Sequence, residues 1–442
     1  MSCFHVELGA EKSLSFYSIA KERRKWESFM KIVQVNTVAG VGSVGRICVD
    51  LYDTLLKSGH EPYVAIGRGK LGDRLAGYEI GNKVDFGCHV MKNFFQGKSG
   101  FGSAKVTREF VAWLEQIKPN VIHLHNIHGF YLQTEILFDY LKKADIPVVW
   151  TLHDCWPFTG HCAYFDYIGC KKWSLGGCDN CKVHAKVYPY ALFKDNSQWN
   201  YCAKREAYTG VKNLTIVTPS HWLAGLVKKS ILKEYPVKVI PNGINLEVFC
   251  PGASEKERKK TYTVLGVANR WEERKGLVYF EKLAKTLPDT YKIKLVGVDK
   301  RLARKLRKKY KDGKITPICR TENVGQLAQL YREADVYVNP TLEDNFPTTN
   351  LEALACGTPV VTFATGGSGE SLTEACGIVI PKGADGILTD KIRFVCEEKP
   401  FSVQACRARA LAFDRNARYK DYISLYQEAA KKQAIFAIGS DL

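Results

Sequence analysis

Short apolar runs alternate with longer amphipathic stretches along most of this chain. Lys31–Val35 reads as a first strand, followed by a helical pattern over 44–58, a strand over 62–67 and a helix over 107–117. Strand-like runs follow at 121–124 and 147–152. Apolar strands separated by helices predict a parallel sheet covered on both faces. Leu214–Pro219 and Val237–Ile240 close this series, and Pro241-Asn242-Gly243 marks a turn. The polar, breaker-rich stretch from Phe249 to Thr261 reads as a linker. A second series opens at Thr263, continues through Ile293–Val298, Val336–Val338 and Val360–Phe363, and ends in a helical pattern over about 416–432. The pattern predicts an N-terminal α/β domain over 30–250, a hinge near 250–262, and a C-terminal α/β domain over 251–415. The helix within 416–442 is expected to pack back on the first domain. Residues 1–29, with a basic run over Lys21–Lys25, read as an extension, and Met30 is an alternative start.

Composition narrows the class. A chain of 442 residues suits two domains. With 45% hydrophobic and 25% charged residues it is neither disordered, collagen-like nor a coiled coil. Its apolar runs fall short of the roughly 18–20 residues that cross a bilayer, and the first 29 residues show no secretory apolar core. The net charge of +18 points to an anionic partner: nucleic acid, a membrane surface or a phosphorylated small molecule. Fifteen cysteines without an export signal read mostly as reduced thiols, and a cytoplasmic location is expected.

Gly40-Val-Gly42-Ser-Val-Gly45 has the letter pattern of a dinucleotide loop. Its context differs: Asn36–Ala39 separate it from the strand, and the next strand ends at Gly67-Arg68 where an acid should hold a ribose. It reads instead as a glycine loop at a helix start, whose N–H groups can approach a phosphate; a plain flexible turn is the blander alternative.

In the second series, Arg270 and Lys275 lie five residues apart across a turn and can converge on one anion. Arg supplies a planar donor fork and Lys a mobile point charge. Glu343-Asp344-Asn345-Phe346-Pro347 then runs into a short helix that ends at Gly357. Asp344 and Glu352 can both face a cleft at the carboxyl edge of the sheet, where open α/β folds bind ligands, and can accept hydrogen bonds from sugar hydroxyls. The blander alternative is a helix cap with surface acids.

Together these pieces resemble the retaining nucleotide-sugar glycosyltransferases of the GT-B fold, family 4. The resemblance runs from Met30 to about 430 and rests on Gly40–Gly45, Val121-Ile-His-Leu-His125, Thr151-Leu-His153-Asp154, Val239-Ile-Pro-Asn242-Gly243, Arg270 with Lys275-Gly276, and Asp344 through Glu352 with Gly357-Thr-Pro-Val-Val. It implies two Rossmann-like domains facing a central cleft. Arg270 and Lys275 would then neutralise a donor diphosphate, Glu352 would hold the ribose, and Gly40 and Gly42 would line the donor site. Glu343 or Asp344, with Asn345 and Phe346, would hold the donor sugar. The usual Glu-Gly-Phe-Gly is here Asp344-Asn345-Phe346-Pro347, so either acid can fill the first role, and Pro347 lacks a backbone donor. The resemblance also implies a nucleotide-diphosphate sugar as donor, a glycan or lipid-linked acceptor, and no cofactor for catalysis. Polysaccharide assembly is the expected setting. A nucleotide-sugar epimerase or a free-sugar synthase shares the fold, and a basic nucleic-acid-binding or zinc-dependent scaffold is the rival of another class.

His125 follows the strand over 121–124. A lone His there is usually structural, but the resemblance implies contact with the donor sugar or the reaction centre. His153 and Asp154 fit the acceptor side. The stretch 155–184 departs from the α/β rhythm and carries Cys155, Cys162, Cys170, Cys178 and Cys181. Cys178-x-x-Cys181 has metal-knuckle spacing, and Cys162 with Cys170 can complete a tetrahedral thiolate set for a structural zinc. Reduced thiols and disulfides are the alternatives. The basic helix over 301–311 reads as a solvated face. Nucleic-acid binding lacks the aromatic interleaving it needs, whereas an anionic membrane surface suits the charge and would make the protein peripheral on the inner face.

Overall fold

The computed structural model describes residues 29–252 and 261–440. The basic run over Lys21–Lys25 and most of the linker lie outside them.

The first half contains β1 (Lys31–Asn36), α1 (Gly42–Lys57), β2 (Glu61–Ile66), β3 (Gly77–Glu79), α2 (Lys83–Gln96), α3 (Ala104–Ile117) and β4 (Val121–Leu124). It continues with α4 (Thr134–Lys143), β5 (Val148–Thr151), α5 (Ser197–Tyr208), β6 (Leu214–Thr218), α6 (His221–Val227) and β7 (Val237–Val239). The second half opens with β8 (Tyr262–Val267), α7 (Leu277–Thr286), β9 (Tyr291–Val296), α8 (Lys300–Lys309), β10 (Ile315–Ile318) and α9 (Val324–Glu333). It closes with β11 (Val336–Asn339), α10 (Thr348–Ala355), β12 (Val360–Phe363), β13 (Gly377–Ile380), α11 (Asp385–Glu398), α12 (Val403–Leu411) and α13 (Arg415–Ser440).

Both sheets are parallel. The first runs β3-β2-β1-β4-β5-β6-β7 and the second β10-β9-β8-β11-β12-β13. Strand order reverses between β1 and β4, and again between β8 and β11. Loops leaving the carboxyl ends of such a pair diverge to opposite faces and leave a crevice. The glycine loop, His125, Arg270 with Lys275, and Glu343 through Glu352 follow those four strands, whereas His153, Asp154 and the cysteine segment follow β5.

Burial explains the strands. β4, β5, β11 and β12 are buried at every position, as a sheet covered on both faces requires. Along β5, Val148 and Trp150 enter one helical layer, and Val149 enters the layer formed by α1 and α13. In α1, Ile47, Cys48, Leu51, Tyr52 and Leu55 form the buried stripe of an amphipathic helix.

Helix α13 belongs to the second half by sequence but packs on the first. Its Tyr419, Tyr422 and Tyr426 are buried beside Ile32, Val121 and Val149. The Tyr426 hydroxyl meets His123 Nδ1 at 2.6 Å, and Tyr422 meets Thr151 at 3.1 Å. His123 is thereby a packing residue on the face away from the cleft.

Elements not assigned from the sequence pattern include β3, α2, α4 and α5. Helix α2 buries His89 and Asn93 and turns several apolar residues outward, so its pattern does not read as a core-facing helix. The cysteine segment is irregular except for two short 3₁₀ turns, at Trp156–Phe158 and Lys172–Ser174.

Candidate active site

The first crevice lies where β1 and β4 diverge. Gly40 and Gly42 both take φ +70°, a left-handed conformation that costs a side-chain-bearing residue energy. This bends the chain sharply into α1. A cavity of about 290 Å³ opens beside the loop, lined among others by Gly42, Ser43, Arg68, Asn126, His128 and Tyr188.

His128 was not singled out by its motif, yet it is held at both ring nitrogens. Its Nε2 lies 2.8 Å from Asp154 Oδ2, and its Nδ1 lies 3.1 Å from the Tyr188 hydroxyl. Asp154 Oδ1 accepts the Trp156 N–H at 2.9 Å. Burial opposes ionisation of Asp154, but His128 and that N–H outweigh it and hold the carboxyl below its ordinary range. Asp154 thus orients His128 beside the crevice.

His125 is buried between Gln34 and His153. The Gln34 amide nitrogen donates to Cys48 O at 3.1 Å, which turns its Oε1 toward His125 Nε2 at 3.2 Å. His125 Nε2 therefore carries the proton on this network. His125 Nδ1 then accepts from His153 Nε2, 3.1 Å away. Burial lowers both rings, His153 to about 4 and His125 well below its usual value. Both stay neutral at physiological pH.

The second crevice is built by the loops after β8 and β11. Gly276, at φ +75°, is required where the β8 loop passes Pro340, because a Cβ would meet its carbonyl oxygen at 2.1 Å. Arg274 O accepts the Leu342 N–H at 2.7 Å, so the two loops are tied. Lys275 pairs with Asp344, both largely buried, at 2.5 Å. Arg270 is 79% exposed, with Glu272 at 3.8 Å. The two bases predicted to share one anion are thus each beside an acid, with Arg270 the freer. Glu352, 5% exposed, accepts from the Tyr331 hydroxyl at 2.9 Å. Burial pushes Glu352 up to about 7, with the Tyr331 bond and the Arg46 charge offsetting part of the effect.

The two adjacent acids separate clearly. Asp344 faces Lys275, whereas Glu343 Oε2 accepts the Tyr167 N–H at 2.8 Å across the cleft. Burial raises the Glu343 carboxyl, against that N–H and the Arg274 charge. Asn345 also bridges: its Nδ2 donates to His153 O at 3.1 Å, and its Oδ1 accepts from Ser220 at 2.6 Å. Phe346 is buried, and its carbonyl accepts from Asn242 at 3.0 Å. Glu370 accepts the first N–H groups of α6, from His221 and Trp222, each at 2.7 Å.

The cysteine segment reaches the same cleft. Tyr164 lies 4.8 Å beneath the Arg274 guanidinium, Asp166 pairs with Lys382 at 3.2 Å, and the Tyr167 hydroxyl donates to Glu273 at 2.6 Å. No local motif announces Arg274, Tyr164, Tyr167 or Ser220, because their partners are distant in sequence. The described cysteines are unbridged. Cys162 and Cys178 are buried, and Cys170 and Cys181 half-buried. Cys162 hydrogen-bonds Cys181 and lies within electrostatic reach of Cys170 and Cys178. Among the described residues no three His, Cys, Asp or Glu side chains stand in metal-ligand geometry.

Two family models divide the chain between them. Glycosyltransferase Family 4 matches residues 44–248, and Glycosyl transferases group 1 matches 253–413. The chain belongs to the group 1 glycosyltransferases. WcaC of Escherichia coli K12, named as a colanic acid biosynthesis glycosyl transferase, is 22% identical over 90% of this chain and 100% of its own length. An N,N'-diacetylbacillosaminyl-diphospho-undecaprenol α-1,3-N-acetylgalactosaminyltransferase of Campylobacter jejuni is 27% identical over 45% of this chain and 56% of its own. In three dimensions, Anabaena Alr3699/HepE, solved with UDP, superposes with a TM-score of 0.64 at 15% identity, covering 90% of this chain and 100% of that one. This glycosyltransferase therefore has the GT-B fold, and relatives of it act in polysaccharide and glycan biosynthesis.

Proposed function

We propose that this glycosyltransferase takes a nucleotide-diphosphate sugar in the β8–β11 crevice and transfers the sugar, with retention, to a glycan or lipid-linked acceptor at the β1–β4 crevice. The observation that carries this reading is the meeting of the two crevices: Glu343 and Asn345 bond directly to Tyr167, His153 and Ser220. A UDP-bound structural relative and an undecaprenol-linked sequence relative support the donor and acceptor classes.

Arg270 and Lys275 hold the diphosphate and stabilise the charge that grows on it as the glycosidic bond breaks. Lys275 is kept in place by Asp344, and releases that partner's oxygen to a sugar hydroxyl when the diphosphate arrives. Glu352 holds the ribose, with Gly40 and Gly42 presenting backbone toward the donor from the opposite side. Asp344 is the acid that addresses the donor sugar, since its partner Lys275 turns to the diphosphate while Glu343 stays on the Tyr167 N–H. His125, neutral and wedged between Gln34 and His153, presents a fixed surface to the reaction centre. His153 and Asp154 shape the acceptor side. The departing phosphate accepts the acceptor's proton.

Two further parts complete the reading. Cys162, Cys170, Cys178 and Cys181 are the thiols that would hold a structural zinc, and the Gly160 N–H donated to Cys178 sulfur at 3.2 Å suits a thiolate there. The net charge of +18 brings the enzyme to the inner face of an anionic membrane.

Nucleotide release from a panel of nucleotide sugars, with acceptor, tests the proposal. Arg270→Ala and Lys275→Ala should each lower turnover about 10²–10³-fold. Unchanged turnover in both overturns the assignment. An NMR measurement of the product's anomeric configuration decides retention, and an epimerised free sugar as product would favour the epimerase alternative.

A further inference from the structure

Helix α2 presents an apolar stripe to solvent. Val84, Met91 and Phe95 recur at helical spacing on one side, and Val84 is 72% exposed. The segment after Tyr188 runs beside it, since Leu192 N donates to Phe94 O at 3.1 Å and Asn93 donates to Tyr190 O at 2.8 Å. This segment adds Tyr190, Leu192 and Phe193, the last 67% exposed. Phe193 stacks on Phe95 with ring centroids 5.0 Å apart. The stripe and the segment therefore form one continuous exposed patch, and isolated surface apolar residues do not usually gather in this way.

The charges around the patch are mainly basic. Lys83, Lys92 and Lys194 are exposed along the same two stretches, and Lys182 and Lys186 are exposed just before Tyr188. Lys98 lies 4.0 Å over the half-exposed Trp199 ring. The acids of these stretches are Asp85 and Asp195, and both are turned to backbone N–H groups, of Asn82 and of Cys181 and Ser197. Protein-binding faces are depleted in Lys. An aromatic and methionine surface ringed by lysines matches the boundary of an anionic bilayer, where rings sit among headgroups and ammonium groups meet lipid phosphates.

The patch also adjoins the acceptor crevice. Tyr188 lines that crevice, and its ring packs against Phe130 and Tyr190. Phe86 of α2 touches Phe130 and lies under Arg68, another crevice residue. We infer that α2 and the 188–194 segment are the surface by which this enzyme lies on an anionic bilayer, with the acceptor crevice opening at headgroup level. This rests on the lipid-linked reading of the acceptor.

Co-sedimentation of the full-length chain with vesicles of equal parts phosphatidylglycerol and phosphatidylcholine tests it, beside vesicles of phosphatidylcholine alone. The wild type should bind the anionic vesicles. Phe95→Glu with Phe193→Glu should lower the bound fraction about tenfold while nucleotide release in solution is retained, which shows the variant is folded. Equal binding by the variant overturns the inference, as does failure of the wild type to bind. A concentration-dependent dimer lost in the variant, without vesicle binding, assigns the patch to a second copy and also overturns it. Sedimentation needs no turnover, so absence of nucleotide release would refute the donor reading alone.

Discussion

Glu352 shows how burial sets the chemistry of one residue. Its carboxyl is raised from 4.5 to about 7, chiefly by burial. A carboxyl raised on folding costs nothing below its unfolded value, where both states are protonated. It costs the full difference above its folded value, where both are ionised. Stability should therefore fall as pH rises from about 4.5 to about 7, by roughly 3 kcal/mol if the whole shift is realised. Glu352→Gln should flatten that decline in urea midpoints measured across the range. An identical pH dependence in the variant would locate the loss elsewhere. Asp154 is the counter-case, because its partner His128 keeps it ionised despite equal burial. The acids were legible as candidates from sequence spacing, but their opposite environments were not.

At the scale of elements, the cysteine segment of 155–184 is the part that departs most from the α/β rhythm. It carries no long helix or strand, yet Trp156, Phe158, Phe165 and Trp173 join the main core of the first half. Its tip supplies Tyr164, Asp166 and Tyr167 to the opposite half. Backbone N–H bonds to the sulfurs of Cys178 and Cys181 lie where thiolates need them. A zinc bound by these four thiols would need Cys170 and Cys178 brought to Cys162 and Cys181, because among the described residues they do not stand in ligand geometry. Metal analysis of the purified chain should then give about one zinc per molecule. Less than about half an equivalent would leave the segment held by its aromatic packing alone. The Cys-x-x-Cys spacing was visible in the sequence, whereas the role of the segment as a bridge over the cleft was not. That role depends on Glu343, Glu273 and Lys382, which are remote in the chain.

For the whole molecule, the two halves are joined by polar bonds between the loops that line the two crevices. Asn345 contributes bonds in both directions, to His153 and Ser220. A closed cleft orients donor against acceptor and excludes water. Asn345→Ala should lower kcat about tenfold with a smaller change in the donor KM, because the bonds serve assembly of the site more than donor affinity. Steady-state kinetics at saturating acceptor would check this, and an unchanged kcat would refute it. Helix α13 contributes at the same scale, since it belongs to the second half by order and to the first by packing.

The alternation of buried strands and amphipathic helices made the two parallel sheets readable from sequence, because a covered parallel strand must be apolar throughout. The glycine loop and the Arg270–Lys275 and Asp344–Glu352 groups stand out as candidates in the sequence because residue types suited to anions and hydroxyls gather there within short windows. Tertiary structure decided what depends on neighbours distant along the chain. It assigned Glu343 to Tyr167 and Asp344 to Lys275, made His123 a packing residue, and gave His128 a carboxylate partner. It also turned the apolar stripe of α2 outward. Hydrophobic periodicity shows that a helix has an apolar face, but only the fold shows whether another element covers it.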